Sequence, residues 1–342
     1  MLRVALLPLI LACLLAAPVG AGVASAGKPR PGHHGDRQQR HILTGVNDTG
    51  QTKDFRRYAR KTASRPDLIQ SFVAWGTNGR EQLERWRELR VGGVLSISTA
   101  PCFGCEEVIT PAAIAKGKDD GWILALAGKL AHLKKRSYVR LLPEMNGFNP
   151  YSAYGGAGGK RTKSHSTAWF RAAFKRFHIL IHGGPKRHVA KRLRAARLRP
   201  LGVRVRKRRL PSPRVGLIWC PQLVSAPDIK GNRPAAYYPG RRYVDWVGAD
   251  FYNNDFDRIG NLTRFSRRYA RKTPMALGEW SYGTASDDPR FVHAVTGWVR
   301  KHAKMALFYQ GFGEGRDNPY ELEDYPRSLV ALRRDLNGRL FR

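Results

Sequence analysis

Eight short runs rich in Val, Ile, Leu and aromatic residues recur along the chain, each bounded by Gly, Pro, Asn or Asp. They occupy residues 41–48, 68–75, 92–99, 137–144, 214–221, 243–252, 274–281 and 303–312. Runs of this length and composition predict strands. Between them the apolar spacing changes to that of helices. Residues 79–89 place Leu83, Trp86 and Leu89 on one face, and 120–135, 166–181, 288–302 and 325–336 follow the same pattern. Eight strands alternating with helices predict parallel βαβ units, and eight such units close a (β/α)8 TIM barrel, a single α/β domain over residues 41–342. A doubly wound open sheet is the second choice, but the glycine-rich turn it needs after its first strand is missing.

One segment breaks the alternation. Residues 186–214 carry many Lys and Arg and no acid. Val189, Leu193, Ala196 and Leu198 predict a short amphipathic helix before Pro200. This basic insertion is either a solvated face or a patch for an anionic polymer. It lacks the interleaved aromatics that base stacking needs, so specific nucleic-acid binding is not expected. The whole chain has a net charge of +35, which favours polyanionic partners such as anionic cell-wall polymers.

The first 26 residues combine Arg3, an apolar run and the small-residue site Ala24-Ser25-Ala26. They read as a signal peptide cleaved after Ala26, followed by a polar, Pro- and Gly-rich leader over 27–40. No later stretch is long and apolar enough to span a bilayer. The expectation is a secreted monomer. In that compartment a local Cys102–Cys105 disulfide is plausible, and Cys220 reads as a buried thiol on a strand. No second pair of ligands stands at zinc spacing, and no metal or cofactor is expected.

A barrel of this kind carries its chemistry at the C-terminal ends of its strands. Glu144 ends the fourth run and Glu279 the seventh, while Asp250 and Tyr252 end the sixth. Two carboxyls facing each other across the barrel mouth suit hydrolysis of a glycosidic bond with retention: one protonates the leaving oxygen, the other attacks the anomeric carbon. Period-two alternation puts Arg140, Leu142 and Glu144 on one face, so Arg140 is expected to support a nearby ionised carboxylate. Tyr252 is placed to donate to Glu279. Sugars also need flat apolar surfaces, and Trp75, Phe148, Tyr151, Trp219, Trp280 and Tyr309 lie at or past strand ends. With Asn146 and Asp250, these are the substrate-binding candidates. Neither a G-x-S-x-G elbow nor H-E-x-x-H is present, and 155–162 lacks the spacing of a phosphate loop and reads as a flexible rim loop.

Three stretches, "RLLPEMNGFNPYSAY", "YYPGRRYVDWVGADFYN" and "PMALGEW", resemble glycoside hydrolase family 26, the β-mannanase family of retaining (β/α)8 barrels. The resemblance covers strands four to eight and is weaker in the N-terminal third. It implies Glu144 as general acid/base, Glu279 as nucleophile, Tyr252 as the residue that orients it, and Trp219 and Trp280 at the sugar subsites. Characterised mannanases of the family have a histidine before the acid/base, where this chain has Pro143. That departure bears on which sugar is accepted. The expected function is an exported retaining hydrolase of a β-linked, mannan-like polysaccharide. The rival is a non-catalytic, cationic barrel that binds glycan or cell wall.

Overall fold

The computed structural model describes residues 41–102, 104–154, 161–253, 258–282, 286–311 and 318–341. The signal-peptide and leader readings, and most of the 155–162 loop, lie outside them. Each of the eight runs forms a parallel strand: β1 (Leu43–Asn47), β2 (Leu68–Ala74), β3 (Gly92–Ser98), β4 (Ser137–Leu141), β5 (Val215–Trp219), β6 (Trp246–Tyr252), β7 (Met275–Ser281) and β8 (Met305–Phe308). The strands pair in chain order, and β8 pairs with β1 to close the barrel. The fold is therefore the (β/α)8 barrel, not the open sheet.

The ten α-helices among the described residues are α1 (Thr52–Thr62), α2 (Arg80–Leu89), α3 (Pro111–Lys116), α4 (Asp120–Ala131), α5 (Thr167–His182), α6 (Lys186–Ala195), α7 (Pro234–Tyr237), α8 (Ile259–Tyr269), α9 (Pro289–His302) and α10 (Pro326–Leu336). Local chemistry sets several of their boundaries. The Thr110 and Ser166 side chains accept from the backbone N–H three residues on, satisfying donors that α3 and α5 leave open at their starts. Arg90 ends α2 in the left-handed conformation, φ 53°.

Two apolar layers follow from the period-two alternation of the strands. Inward-facing Leu68, Val94, Tyr138, Ile218, Trp246, Ala276 and Met305 fill the barrel's interior. Tyr138 and Trp246 meet edge to face at 5.4 Å and plug its base. Outward-facing residues such as Leu95, Leu217 and Val247 pack under the helices. At Gly93 a Cβ would come within 2.1 Å of the Trp86 ring. The absent side chain lets α2 lie directly on β3.

The basic segment is ordered. Its first part is α6, whose buried Val189 and Leu193 match the predicted amphipathic helix. Residues 184–185 then pair antiparallel with 209–210. The backbone between is tied down by Arg176, which donates to the Arg199 and Pro200 carbonyls and forms a fully buried ion pair with Asp120. Of the segment's Lys and Arg residues, all but Arg192 are exposed. Among the described residues no helix is long and apolar enough to cross a membrane.

Candidate active site

A cleft of about 1220 Å³ opens at the C-terminal ends of the strands. Its wall draws on β1 to β4, β6 and β7 and on the loops that follow β1, β3, β4 and β8, and both Glu144 and Glu279 face it. The Cys102–Cys105 disulfide, with Cα atoms 5.2 Å apart, stiffens the loop after β3 that forms part of the rim.

Glu279 is positioned by a bulge. Along β6, Ala249 pairs with Leu277 and Asp250 with Glu279, so Gly278 is skipped. A bulge re-aims the side chain that follows it. Gly278 also leaves room for the polar cluster. A Cβ there would lie 2.9 Å from Asp250 Oδ1 and 3.0 Å from Arg140 Nε. The Glu279 carboxylate accepts from Tyr252 Oη at 2.5 Å, from Arg140, and from Gln70 Nε2 at 3.4 Å. These donors arrive from three different strands and fix its orientation.

Glu144 is reached differently from what strand alternation suggests. β4 ends at Leu141, and Leu142 and Glu144 both have left-handed backbone, φ 46° and 54°. Such a conformation at a non-glycine residue costs on the order of 1 kcal/mol or more and persists only where the surroundings impose it. They do so here. Glu144 N donates to the Cys220 carbonyl at 2.7 Å, Asn149 Nδ2 donates to the Glu144 carbonyl at 3.2 Å, and Tyr151 Oη donates to the Pro143 carbonyl at 2.5 Å. The Glu144 carboxyl bonds to Asp250 and to Gln222. Gln222 is a site residue that no sequence pattern marks.

The two glutamates are linked through one guanidinium. Buried Arg140 forks to Asp250 on one side and Glu279 on the other, and Asp250 bonds to Glu144. Glu144 and Asp250, buried side by side, cannot both ionise at their usual cost. Burial pushes the Glu144 pKa up, the Glu279 charge adds to this, and Arg140 opposes it. Burial also lifts Asp250 well above the carboxylate range, with Arg140 again opposing. Burial thus biases Glu144 toward the protonated form that an acid role requires.

The remaining candidates divide. Phe148 is 63% exposed and, with Tyr151 and Tyr309, lines the cleft. Trp75, Trp219 and Trp280 do not. Trp75 lies past the end of β2 and packs on Trp122 and Phe177. Trp219 and Trp280 each follow an inward-facing residue, so alternation turns them outward. Trp219 meets Tyr238, Phe265 and Tyr269, and Trp280 meets Phe308. These three tryptophans are core residues, and the bordering role the resemblance implies for two of them is not what their placement allows. Asn146 is also buried; it bonds to the backbone of Gln222 and to Ser225, and so positions Gln222. Asp250 is buried against Arg140 and acts on the cleft through it. Trp219→Ala should therefore cost roughly 3–5 kcal/mol of stability. Urea unfolding checks this, and an unchanged midpoint would contradict it.

Sequence reasoning missed Phe72, Gln70 and Tyr320. Phe72 is 45% exposed, lines the cleft and meets the Tyr309 ring edge to face at 6.2 Å. The parity of β2 marks both Gln70 and Phe72, since they lie two residues apart on one side of the strand. Asp48, just past β1, is held by Arg85 at 2.8 Å and Ser71 at 2.6 Å. Cys220 lies just beyond β5 and is buried, its thiol 3.4 Å from Asp250 Oδ1.

No family model matches the chain, and no curated protein matches it. Solved structures do. The Bacillus subtilis mannanase BCman is 14% identical at a TM-score of 0.54, covering 86% of each chain. GH26A from a Muricauda species is 15% identical at 0.53, over 84% of this chain and 89% of that one. A broad-specificity GH5-4 endoglucanase from an uncultured bacterium is 12% identical at 0.53, over 87% and 95%. At these identities the likeness is one of fold: this chain shares the barrel of those glycosidases.

Proposed function

We propose that the chain is an exported retaining glycoside hydrolase that cleaves a β-linked, mannan-like polysaccharide. One observation carries this reading: Glu144 and Glu279 open onto a single cleft at the ends of β4 and β7, joined through Arg140 and Asp250. In the proposed reaction Glu279 attacks the anomeric carbon while Glu144 gives its proton to the leaving oxygen. Water, deprotonated by Glu144, then releases the sugar from Glu279. Phe72, Phe148 and Tyr309 offer rings against which sugar C–H faces can lie. The names of the structural neighbours, mannanases and an endoglucanase, support the substrate class.

The test is release of reducing ends from a panel of mannans, glucans and xylans, with NMR of the first-formed anomer. The panel is broad because Pro143 stands where mannanases of the resembling family have histidine. A folded protein inert on the whole panel removes the proposal, and an inverted first product removes the double displacement.

The raised Glu144 pKa adds a prediction with a definite sign. An acid must be protonated to work, so kcat/KM falls as pH rises through its pKa. That alkaline limb should lie above the usual carboxylate range. Glu144→Gln should flatten it and slow cleavage of poor leaving groups by about 10²–10⁴-fold, with much less effect on an activated aryl glycoside. Equal losses on both substrates would count against the assignment.

The second reading, a cationic barrel that binds anionic cell-wall polymer, is favoured by the exposed, acid-free segment 186–214. It is compatible with hydrolysis, because no residue of the segment lines the cleft. Reversing Lys191, Arg194, Arg206 and Lys207 to Glu should weaken binding to a purified anionic wall polymer by roughly tenfold at about 0.1 M salt. Glycan cleavage should be unchanged. Equal retention of both proteins would remove the electrostatic reading.

A further inference from the structure

At the base of the barrel, away from the cleft, α5 presents His178 and His182 four residues apart on one helical face. Their rings lie 4.5 Å apart, centroid to centroid. Asp245, the residue before β6, meets both. Its Oδ2 is 2.7 Å from His182 Nε2 and its Oδ1 is 3.5 Å from His178 Nε2. One donor atom from each of the three residues lies within 4.8 Å of the others.

A plain ion-pair pin accounts for this arrangement incompletely. At 3.5 Å the His178 contact is too long for a good hydrogen bond. The other ring nitrogen of His178, Nδ1, is buried and has no hydrogen-bond partner. A largely buried imidazole with one loose contact and one bare nitrogen is underused. The carboxylate, in contrast, is held in place by the backbone N–H of Leu217, which donates to Oδ2 at 2.8 Å. Such outer hydrogen bonds orient metal-binding carboxylates.

The cations nearby are engaged elsewhere: Arg192 donates to the Gly183 carbonyl, and the Lys175 ammonium sits over the Tyr243 ring.

We propose that His178, His182 and Asp245 form a transition-metal site of the Zn²⁺ class that clips the last turn of α5 to the start of β6. Two imidazole nitrogens and one carboxylate oxygen suit Zn²⁺, Co²⁺ or Ni²⁺; Mg²⁺ and Ca²⁺ require oxygen donors. The side chains are 11%, 24% and 15% exposed, so an ion can enter and water can complete its shell. The role is structural, since the base of a barrel governs stability rather than chemistry.

The experiment compares the full chain with the double variant His178→Gln/His182→Gln. Glutamine keeps an N–H donor for Asp245 but is a poor metal ligand, so the variant preserves a simple pin and removes a metal site. After chelation, Co²⁺ is titrated by its visible absorption and displaced with Zn²⁺, and melting is followed by calorimetry. The expected result is one more bound equivalent in the wild type than in the variant. Zn²⁺ at about a hundred-fold excess over its Kd should raise the wild-type Tm by roughly 4 °C, and that of the variant less. Equal stoichiometry in both proteins, an unmoved wild-type Tm, or a Mg²⁺ effect as large as that of Zn²⁺ would overturn the site. If the double variant does not fold, His182→Gln alone replaces it, and the wild-type Zn²⁺ and Mg²⁺ arms decide regardless.

Discussion

Glu279→Ala should lower glycan hydrolysis by about 10⁴-fold or more while the protein stays folded. Both halves of this expectation follow from the cluster around Arg140. Removing Glu279 takes away the atom that would bond to the anomeric carbon, and no neighbouring group can replace it. Asp250 is buried against Arg140 and does not line the cleft. The fold should tolerate the loss because Arg140 keeps its pairing with Asp250, and one of three crowded carboxyls disappears. The Glu279 charge is the second cause of the raised Glu144 pKa, after burial. Without it, the pKa of Glu144 should fall toward the ordinary range. A small anion such as azide can occupy the space left by the carboxylate and attack in its place. With an activated substrate it should restore turnover and give a glycosyl azide of inverted configuration. Residual activity within tenfold of wild type, or no azide product from an otherwise active variant, would sink the nucleophile assignment.

Much of the barrel was legible in the sequence because its strands are buried on both faces. A strand of this kind reads as a continuous apolar run, and eight such runs survive in a chain whose surface is otherwise strongly basic. Some helices were less visible for the same reason. α1 buries Phe55 and Tyr58 as its large apolar residues, and α8 buries Leu262 and Phe265. Their remaining positions are mostly polar or basic, so the periodic signal is thin. The rule that chemistry sits at strand ends singled out Glu144, Glu279, Asp250 and Tyr252, which the structure brings together. The aromatic candidates fared worse because proximity to a strand end does not specify a face. Phe72 points into the cleft, whereas Trp219 and Trp280 are each one residue out of phase with an inward neighbour. The same parity argument fails at Glu144 for another reason: two left-handed residues break the alternation after Leu141. Nothing in a single sequence marks those conformations, since they are imposed by contacts with Cys220, Asn149 and the loop that carries Gln222.

Arg140→Met should destabilise the protein by roughly 3–5 kcal/mol near neutral pH, the cost of leaving buried charge without its partner. The Arg140 and Asp250 side chains are 1% and 3% exposed, so water cannot take over the role of the guanidinium. Methionine fills similar space and adds no cavity of consequence, which isolates the electrostatic part. The dependence on pH has a definite sign. Asp250 is already lifted by burial with Arg140 opposing; once the cation is gone it must rise further. A carboxyl whose folded pKa exceeds its unfolded value binds more protons in the native state. Stability therefore falls as pH rises from the unfolded value, about 3.9 for Asp, toward the folded one. The deficit of the variant grows as pH rises through the wild-type folded pKa of Asp250, which already lies above the ordinary carboxylate range. Urea unfolding of both proteins at about pH 4.5 and about pH 7.5 measures it. Adding Asp250→Asn should recover part of the stability, because the uncompensated charge is removed. It should not recover hydrolysis, because Glu279 still lacks the guanidinium, one of the three donors that aim it. A loss below about 1 kcal/mol, or one that does not change with pH, would mean that Arg140 packs but does not neutralise.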